Sequence, residues 1–220
     1  MRILAIDTAT ERCSVALLED GSLIERLEET PRGHADLVLP MVESVLRQAA
    51  VRLKDLDGLA YGRGPGAFTG VRIAVGVAQG LAFGAKLLTV GISDLAAVAQ
   101  QVAQPGERVL VCMDARMGEV YWSAFERRHD QLLVTPLRPE RVDPPQNVDE
   151  ADATVGAGTG FRAYAQLAAR RIATVHDSVL PRAREIALLA APELRAGRGR
   201  PAAEAAPVYL RDQVTFVKSP

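Results

Sequence analysis

The stretch Gly62-Arg63-Gly64-Pro65-Gly66-Ala67-Phe68-Thr69-Gly70-Val71-Arg72 constrains this chain more than any other. A glycine-rich loop runs straight into a segment built from Gly, Ala and Val that reads as a helix. Glycine opens backbone dihedrals closed to other residues and lets a neighbour come close. A loop of this kind at a helix N-terminus looks like a phosphate cradle, because unpaired N–H groups and the helix dipole both favour an anion. The Gly-Lys-Ser or Gly-Lys-Thr of a P-loop is missing, however. The element therefore either holds an anion in another way or serves packing and docking.

The chain has 220 residues, 48% of them hydrophobic, and a net charge of −1. That is enough for one large domain or two lobes with sizeable cores, and no basic run marks a nucleic-acid binder. Arginines gather late, at Arg182, Arg184, Arg195, Arg198, Arg200 and Arg211. Solvated helix ends account for them better than an RNA-facing patch. The N-terminus reaches Asp7 too soon for a signal-peptide core, and no apolar run looks long enough to cross a membrane. A cytoplasmic location is expected. Cys13 and Cys112 sit in separate strand-like segments and read as buried free thiols, and no Cys/His spacing suits zinc.

Apolar patterning gives the order of elements. Residues 3–7 read as a buried strand, and strands at 13–18 and 23–27 flank Asp20-Gly21, a strong hairpin signal. A helix is expected over residues 35–50, with Val38, Val42, Val45 and Ala49 on its core face. A short strand at 59–61, a second helix at 71–83 and a strand at 86–90 follow, and Ser93-Asp94 caps a third helix ending near Val102. After Gln104-Pro105-Gly106 the order starts again, with strands at 108–113 and 119–125 joined by a tight turn. Residues 136–145 read as an irregular or edge segment, 161–171 and 181–194 as helices, and 197–207 as a flexible linker. The repeated organisation predicts two α/β lobes, residues 1–104 and 105–220, with the tail after about 201 packing back on the first.

Asp7-Thr8-Ala9-Thr10, then Gly64-Pro65-Gly66-Ala67-Phe68-Thr69-Gly70-Val71-Arg72, then Asp114-Ala115-Arg116 with Glu119-Val120-Tyr121, occur in that order. With the ending Pro207-Val208-Tyr209-Leu210-Arg211 they closely resemble the TsaB family, formerly called YeaZ, over essentially the whole chain. The Gly-Pro-Gly-x-Phe-Thr-Gly-x-Arg core is specific, whereas Asp-Thr-x-Thr alone is weak. The resemblance implies the two-lobed, ribonuclease H-like fold of the actin, sugar-kinase and heat-shock ATPase superfamily, with mixed sheets flanked by helices. It also implies a part in making N6-threonylcarbamoyladenosine next to the anticodon of tRNAs that read codons beginning with adenine. In the family this subunit is not the transferase. It pairs with the catalytic paralogue TsaD, an ATPase subunit, TsaE, joins the pair, a homodimer forms when it is alone, and tRNA is met only through the complex.

In that superfamily a strand-tip Asp beside a hairpin helps hold a metal-bound phosphate through water. Asp7 and Asp114 are the candidates for such a nucleotide site, facing one another across a cleft. The plainer role for both is to accept hydrogen bonds from turn N–H groups. An alternative function follows from the first reading, a small Mg–ATP-dependent phosphotransferase or ATPase. The catalytic relative carries two histidines four residues apart, and Ile92 and Ala96 stand at the matching positions here. Neither coordinates a metal. His34, His129 and His176 are isolated, no peptidase signature is present, and no cofactor is expected. Gly156-Ala157-Gly158-Thr159-Gly160 resembles a remnant of the second-lobe nucleotide loop and reads as a turn.

The second helix supplies the positive signal. Gly76, Gly80 and Gly84 recur every four residues, beside a row of Ala74, Ala78 and Ala82. An interior glycine costs about 1 kcal/mol relative to alanine, so Gly76 and Gly80 together cost about 2 kcal/mol. Close backbone approach is the expected return, either to the sheet or to another subunit. Arg72, Val75, Gln79 and Phe83 share one helical face, and Leu37, Met41, Ser44 and Gln48 lie beside the core stripe of the first helix. With Gly76 these residues form the expected partner interface, a four-helix contact burying roughly 800 Å² per partner. Leu37→Glu or Val75→Arg is then expected to abolish pairing with little loss of fold. Thr69 is expected to cap the second helix, which the stiff glycine loop would aim.

Overall fold

Residues 3–6 are apolar on both sides, and Arg2–Asp7 forms β1, buried after its first residue. Its neighbours β2 (Arg12–Glu19) and β3 (Ser22–Glu29) are joined by Asp20 and Gly21, with φ of 47° and 92°. These positive angles give the turn a twist that matches the flanking strands. Then come α1 (His34–Ala49), β4 (Gly58–Gly62), α2 (Phe68–Ala85), β5 (Leu88–Ile92) and α3 (Asp94–Val102). The first sheet runs β3-β2-β1-β4-β5, antiparallel through the hairpin strands and parallel from β1 to β5. This computed structural model describes residues 1–211.

The second sheet repeats that plan. It uses β6 (Glu107–Asp114), β7 (Val120–Arg127), the short edge strands β8 (Thr135–Pro136) and β9 (Arg141–Asp143), and β10 (Val155–Ala157). The helical turns α4 (Gly160–Ala163) and α5 (Ala165–Ala168) lead to β11 (Thr174–His176). The order β8-β7-β6-β10-β11 again joins an antiparallel hairpin to parallel strands. Two such sheets, each flanked by helices, make the expected mixed α/β, ribonuclease H-like architecture. The chain then returns through α6 (Ala183–Arg195) and β12 (Arg200–Pro201), which extends the first sheet beyond β5.

Strand alternation decides what each face buries. Leu4 and Ile6 of β1 pack with Val38 and Val45 of α1 and Ala74 and Ala82 of α2. Ile3 and Ala5 face the other way, onto Ala183, Ile186, Ala187 and Ala190 of α6. Leu95 and Val98 of α3 pack against Val109 and Val111 of β6, so α3 ties the first sheet to the second. The placement of α6 corrects the expected division, in which residues 105–201 all belonged to the second lobe. Four fully buried residues at i, i+3, i+4 and i+7 give α6 an apolar stripe that the alanine-lined back of the first sheet accepts.

Smaller differences have local causes. α2 begins at Phe68, with Ala67 as its N-cap, so Thr69 is inside the helix and caps nothing. Lys86 (φ 57°) closes α2 in the left-handed conformation, which delays β5 to Leu88. The helix expected at 161–171 breaks at Tyr164, whose extended backbone sends its hydroxyl to Asp114. α2 is also, by length and composition, apolar enough to cross a membrane, contrary to the sequence expectation. Its apolar character serves the sheet, since Ala74, Ala78 and Ala82 are fully buried against it.

Candidate functional site

Asp7 ends β1 with no exposed surface, and its Oδ1 accepts a hydrogen bond from the Ala9 N–H at 2.9 Å. Its carboxyl neighbour is Asp94, the first residue of α3, equally sealed. Gly64 N–H donates to Asp94 Oδ2 at 2.6 Å, and Asp94 N–H donates back to the Gly64 carbonyl at 3.1 Å. Both acids sit over Gly62, where a Cβ would lie 2.5 Å from Asp94 Oδ1 and 2.7 Å from Asp7 Oδ1. Only glycine leaves that space. Among the described residues Asp7 Oδ2 and Asp94 Oδ1 have no hydrogen-bond partner, and two neighbouring buried acids favour a state in which the pair keeps a proton. Burial pushes Asp7 up to about 6. Burial and then the charge of Asp7 hold Asp94 well above the usual carboxylate range.

Three N–H groups of the glycine loop, those of Arg63, Gly64 and Ala67, are bound within the protein. Arg63 N–H binds the Ile92 carbonyl at 2.9 Å and Ala67 N–H the Ala9 carbonyl at 2.7 Å. Thr8 Oγ1 donates to the Gly70 carbonyl at 2.6 Å. A Cβ on Gly70 would stand 2.0 Å from the Thr8 carbonyl oxygen, and one on Gly66 2.5 Å from that of Ala9. These glycines let the start of α2 lie against the turn after β1. Asp114 is on the second sheet, where its Oδ1 accepts from the Arg116 N–H and the Tyr164 hydroxyl, both at 2.8 Å. Asp7, at the end of β1, is fully buried beside Asp94, while Asp114, at the end of β6, has hydrogen-bond partners of its own in the second lobe. Asp94, read from sequence only as a helix-capping residue, is the one that reasoning missed. Its signal was its place within the stretch aligned with the catalytic relative's histidines.

The helix faces also needed correction. Val75 is buried with Ala9, Tyr61, Val71 and Ala205. On α1, Met41 is buried and accepts the Cys13 thiol at 3.7 Å, and Leu37 packs on the same core. Arg26 of β3 donates to Ser44 Oγ at 3.1 Å and to Gln48 Oε1. The face of Leu37, Met41, Ser44 and Gln48 therefore leans on the first sheet, and Val75 belongs to the core. Gly76, Gly80 and Gly84 point outward, and a Cβ on any of them would meet nothing within 4 Å. Among the described residues nothing uses their smallness. Around them Phe83 is 78% exposed and Phe68 66%, Arg72 is exposed with its guanidinium 3.2 Å over the Phe68 ring, and Gln79 is half-buried. Leu39, 50% exposed, faces outward from the neighbouring α1.

Elsewhere the chemistry is muted. Ile92 and Ala96 line a cavity of about 430 Å³ with Tyr61, Arg63, Val134 and Pro136. Of the six late arginines, Arg182, Arg184, Arg198, Arg200 and Arg211 each stand within 4 Å of a glutamate, which tempers any basic patch.

Known proteins match this arrangement along its length. The family model described as TsaD, tRNA N6-adenosine threonylcarbamoyltransferase, matches residues 28–218. The tRNA threonylcarbamoyladenosine biosynthesis protein TsaB of Escherichia coli strain K12 is 43% identical, with 100% of this chain and 99% of that protein covered. Its namesake in Haemophilus influenzae is 39% identical over 100% of this chain and 98% of that one. The solved structure of YeaZ from Pseudomonas aeruginosa superposes with a TM-score of 0.87 at 43% identity, covering 95% of this chain and 99% of that one. A second solved structure, of an uncharacterized protein with similarity to peptidase YeaZ from Pseudomonas aeruginosa, gives 0.89 at 45% identity over 96% and 99%. The chain belongs to the TsaB (YeaZ) family.

Proposed function

We propose that this chain is a non-catalytic subunit of the machinery that makes N6-threonylcarbamoyladenosine next to the anticodon of tRNAs reading codons that begin with adenine. It acts in the cytoplasm by heterodimerising with a TsaD-type catalytic paralogue and favouring that partner's active arrangement, together with a TsaE-type ATPase. Alone it forms a homodimer through the same surface, and it meets tRNA only through the complex. The names of its relatives support the tRNA-modification role. The observation that carries the docking role is the outward row Gly76, Gly80 and Gly84 beside the exposed ring of Phe83. An outward glycine in a helix weakens the free chain and gains nothing there, so its use lies in letting another helix approach. The proposed footprint keeps Arg72, Gly76, Gln79 and Phe83, adds Gly80 and Leu39, and releases Val75 and Met41 to the core. Leu37, Ser44 and Gln48 border it.

Burial speaks against the Mg–ATP reading. Asp7 has no exposed surface, its neighbour is another acid, and the N–H groups of Arg63, Gly64 and Ala67 already have acceptors within the protein. Sedimentation of this chain mixed with its TsaD-type partner tests the docking role. Gly80→Leu should leave the fold intact and weaken pairing at least tenfold, and undiminished pairing would overturn the proposed footprint.

A further inference from the structure

The last described residues join the two lobes, and at both ends they hold parts of the molecule that sequence had singled out. Ala205 is buried against Val71 and Val75 of α2. Ala206 N–H donates to the Tyr61 hydroxyl at 3.1 Å, and Val208 N–H donates to the Arg63 carbonyl at 2.8 Å. The Tyr209 ring stacks on Phe68 with centroids 6.3 Å apart, and the Arg72 guanidinium lies 4.7 Å from it. That end grips the first turn of α2. At the other end Arg211 reaches the turn between β6 and β7. Its guanidinium pairs with Glu119, donates to the Ala115 carbonyl at 3.2 Å, and lies 3.5 Å from the Met117 sulfur.

That turn is a strained one. Arg116, Met117 and Gly118 take φ of 61°, 58° and 78° in succession. Non-glycine residues persist in the left-handed region only where their surroundings hold them. Arg211 supplies such a hold by binding the turn's carbonyl oxygen and its closing glutamate together. Residues 205–211 carry no strand or helix, so contacts such as these, rather than a ladder or a helix, hold them in place.

We propose that residues 205–211 are a latch between the lobes. Closed, it makes the β6–β7 turn and the first turn of α2 move as one unit; opened at either end, it frees both. Asp114 sits at the foot of that turn and α2 carries the outward glycine face, so the latch ties the second lobe to the docking helix. The latch itself does not rest on the docking reading, because it is tested on the full chain alone.

The test is amide hydrogen exchange on two variants. In Arg211→Ala, exchange at residues 63–72 should rise about tenfold together with that at 114–119, while β1 and α6 keep their protection. In Tyr209→Ala, the reverse propagation should appear at 114–119. Glu119→Gln opens the same end as Arg211→Ala without touching the segment and should repeat its pattern, while Arg211→Lys should restore part of the protection. Effects confined to the mutated end in all variants, or loss of protection throughout β1 and α6, would overturn the latch.

Discussion

Asp7 and Asp94 are the residues whose chemistry differs most from their appearance in the sequence. A strand-tip aspartate in this setting suggests a phosphate-facing carboxylate. A buried one facing a second acid must instead keep a proton. Both folded-state values lie above the ordinary 3.8, so the pair's contribution is complete below about pH 4 and is lost as pH rises through about 6 and beyond. Arg12 and Arg63, the nearby cations, moderate the shift without reversing it. Thermal unfolding of the chain should therefore occur at lower temperature at pH 8 than at pH 5. Asp94→Asn should flatten most of that slope, because the amide gives Asp7 a donor at every pH. Parallel curves for the two proteins would contradict the shared proton. Gly70 makes a second point at this scale, since its hypothetical Cβ would lie 2.0 Å from a backbone oxygen that cannot move aside cheaply. Gly70→Ala should destabilise the chain by about 3 kcal/mol in denaturant unfolding, at the upper end of ordinary overpacking.

The helices show where periodicity succeeds and where it stops. Spacing located α1 and found its core stripe, since Val38, Val42 and Val45 are buried as expected. It also separated the glycine and alanine rows of α2. It could not say which row faces inward, because on a helix apolar nearly all round the hydrophobic contrast between faces is small. Val75 was assigned outward for that reason, and Met41 because a long apolar side chain beside the stripe can reach the core from its edge. The expected variants divide accordingly. Gly76→Ala should stabilise the isolated chain by about 1 kcal/mol, as in an exposed helix interior, and Val75→Arg should cost more than about 3 kcal/mol by burying an unpaired charge. Equilibrium unfolding in urea reads both. A destabilised Gly76→Ala would mean that the glycine row packs within the lobe after all.

At the scale of the whole molecule, the two-lobed α/β plan was legible because each lobe opens with the same sequence of hairpin, crossover and parallel strand. The return of α6 to the first sheet was not. Its alanine-rich stripe carries no mark of which sheet it meets, and it packs on Ile3, Ala5, Ala16 and Ala60 of the first. The inward aspartate pair was hidden for a similar reason, since Asp7 and Asp94 are 87 positions apart and meet only through the parallel order β1-β4-β5. The fold thus has two α/β lobes in which Asp7 and part of the glycine loop serve internal packing, and the glycine face of α2 stays exposed. The most direct test is tRNA threonylcarbamoylation in a reconstituted reaction containing the TsaD-type paralogue, the TsaE-type ATPase and the threonylcarbamoyl-adenylate donor. Modification should depend on this chain, survive Asp7→Asn and fail with Gly80→Leu. Modification that proceeds equally without the chain, or that Gly80→Leu supports in full, would contradict the docking account.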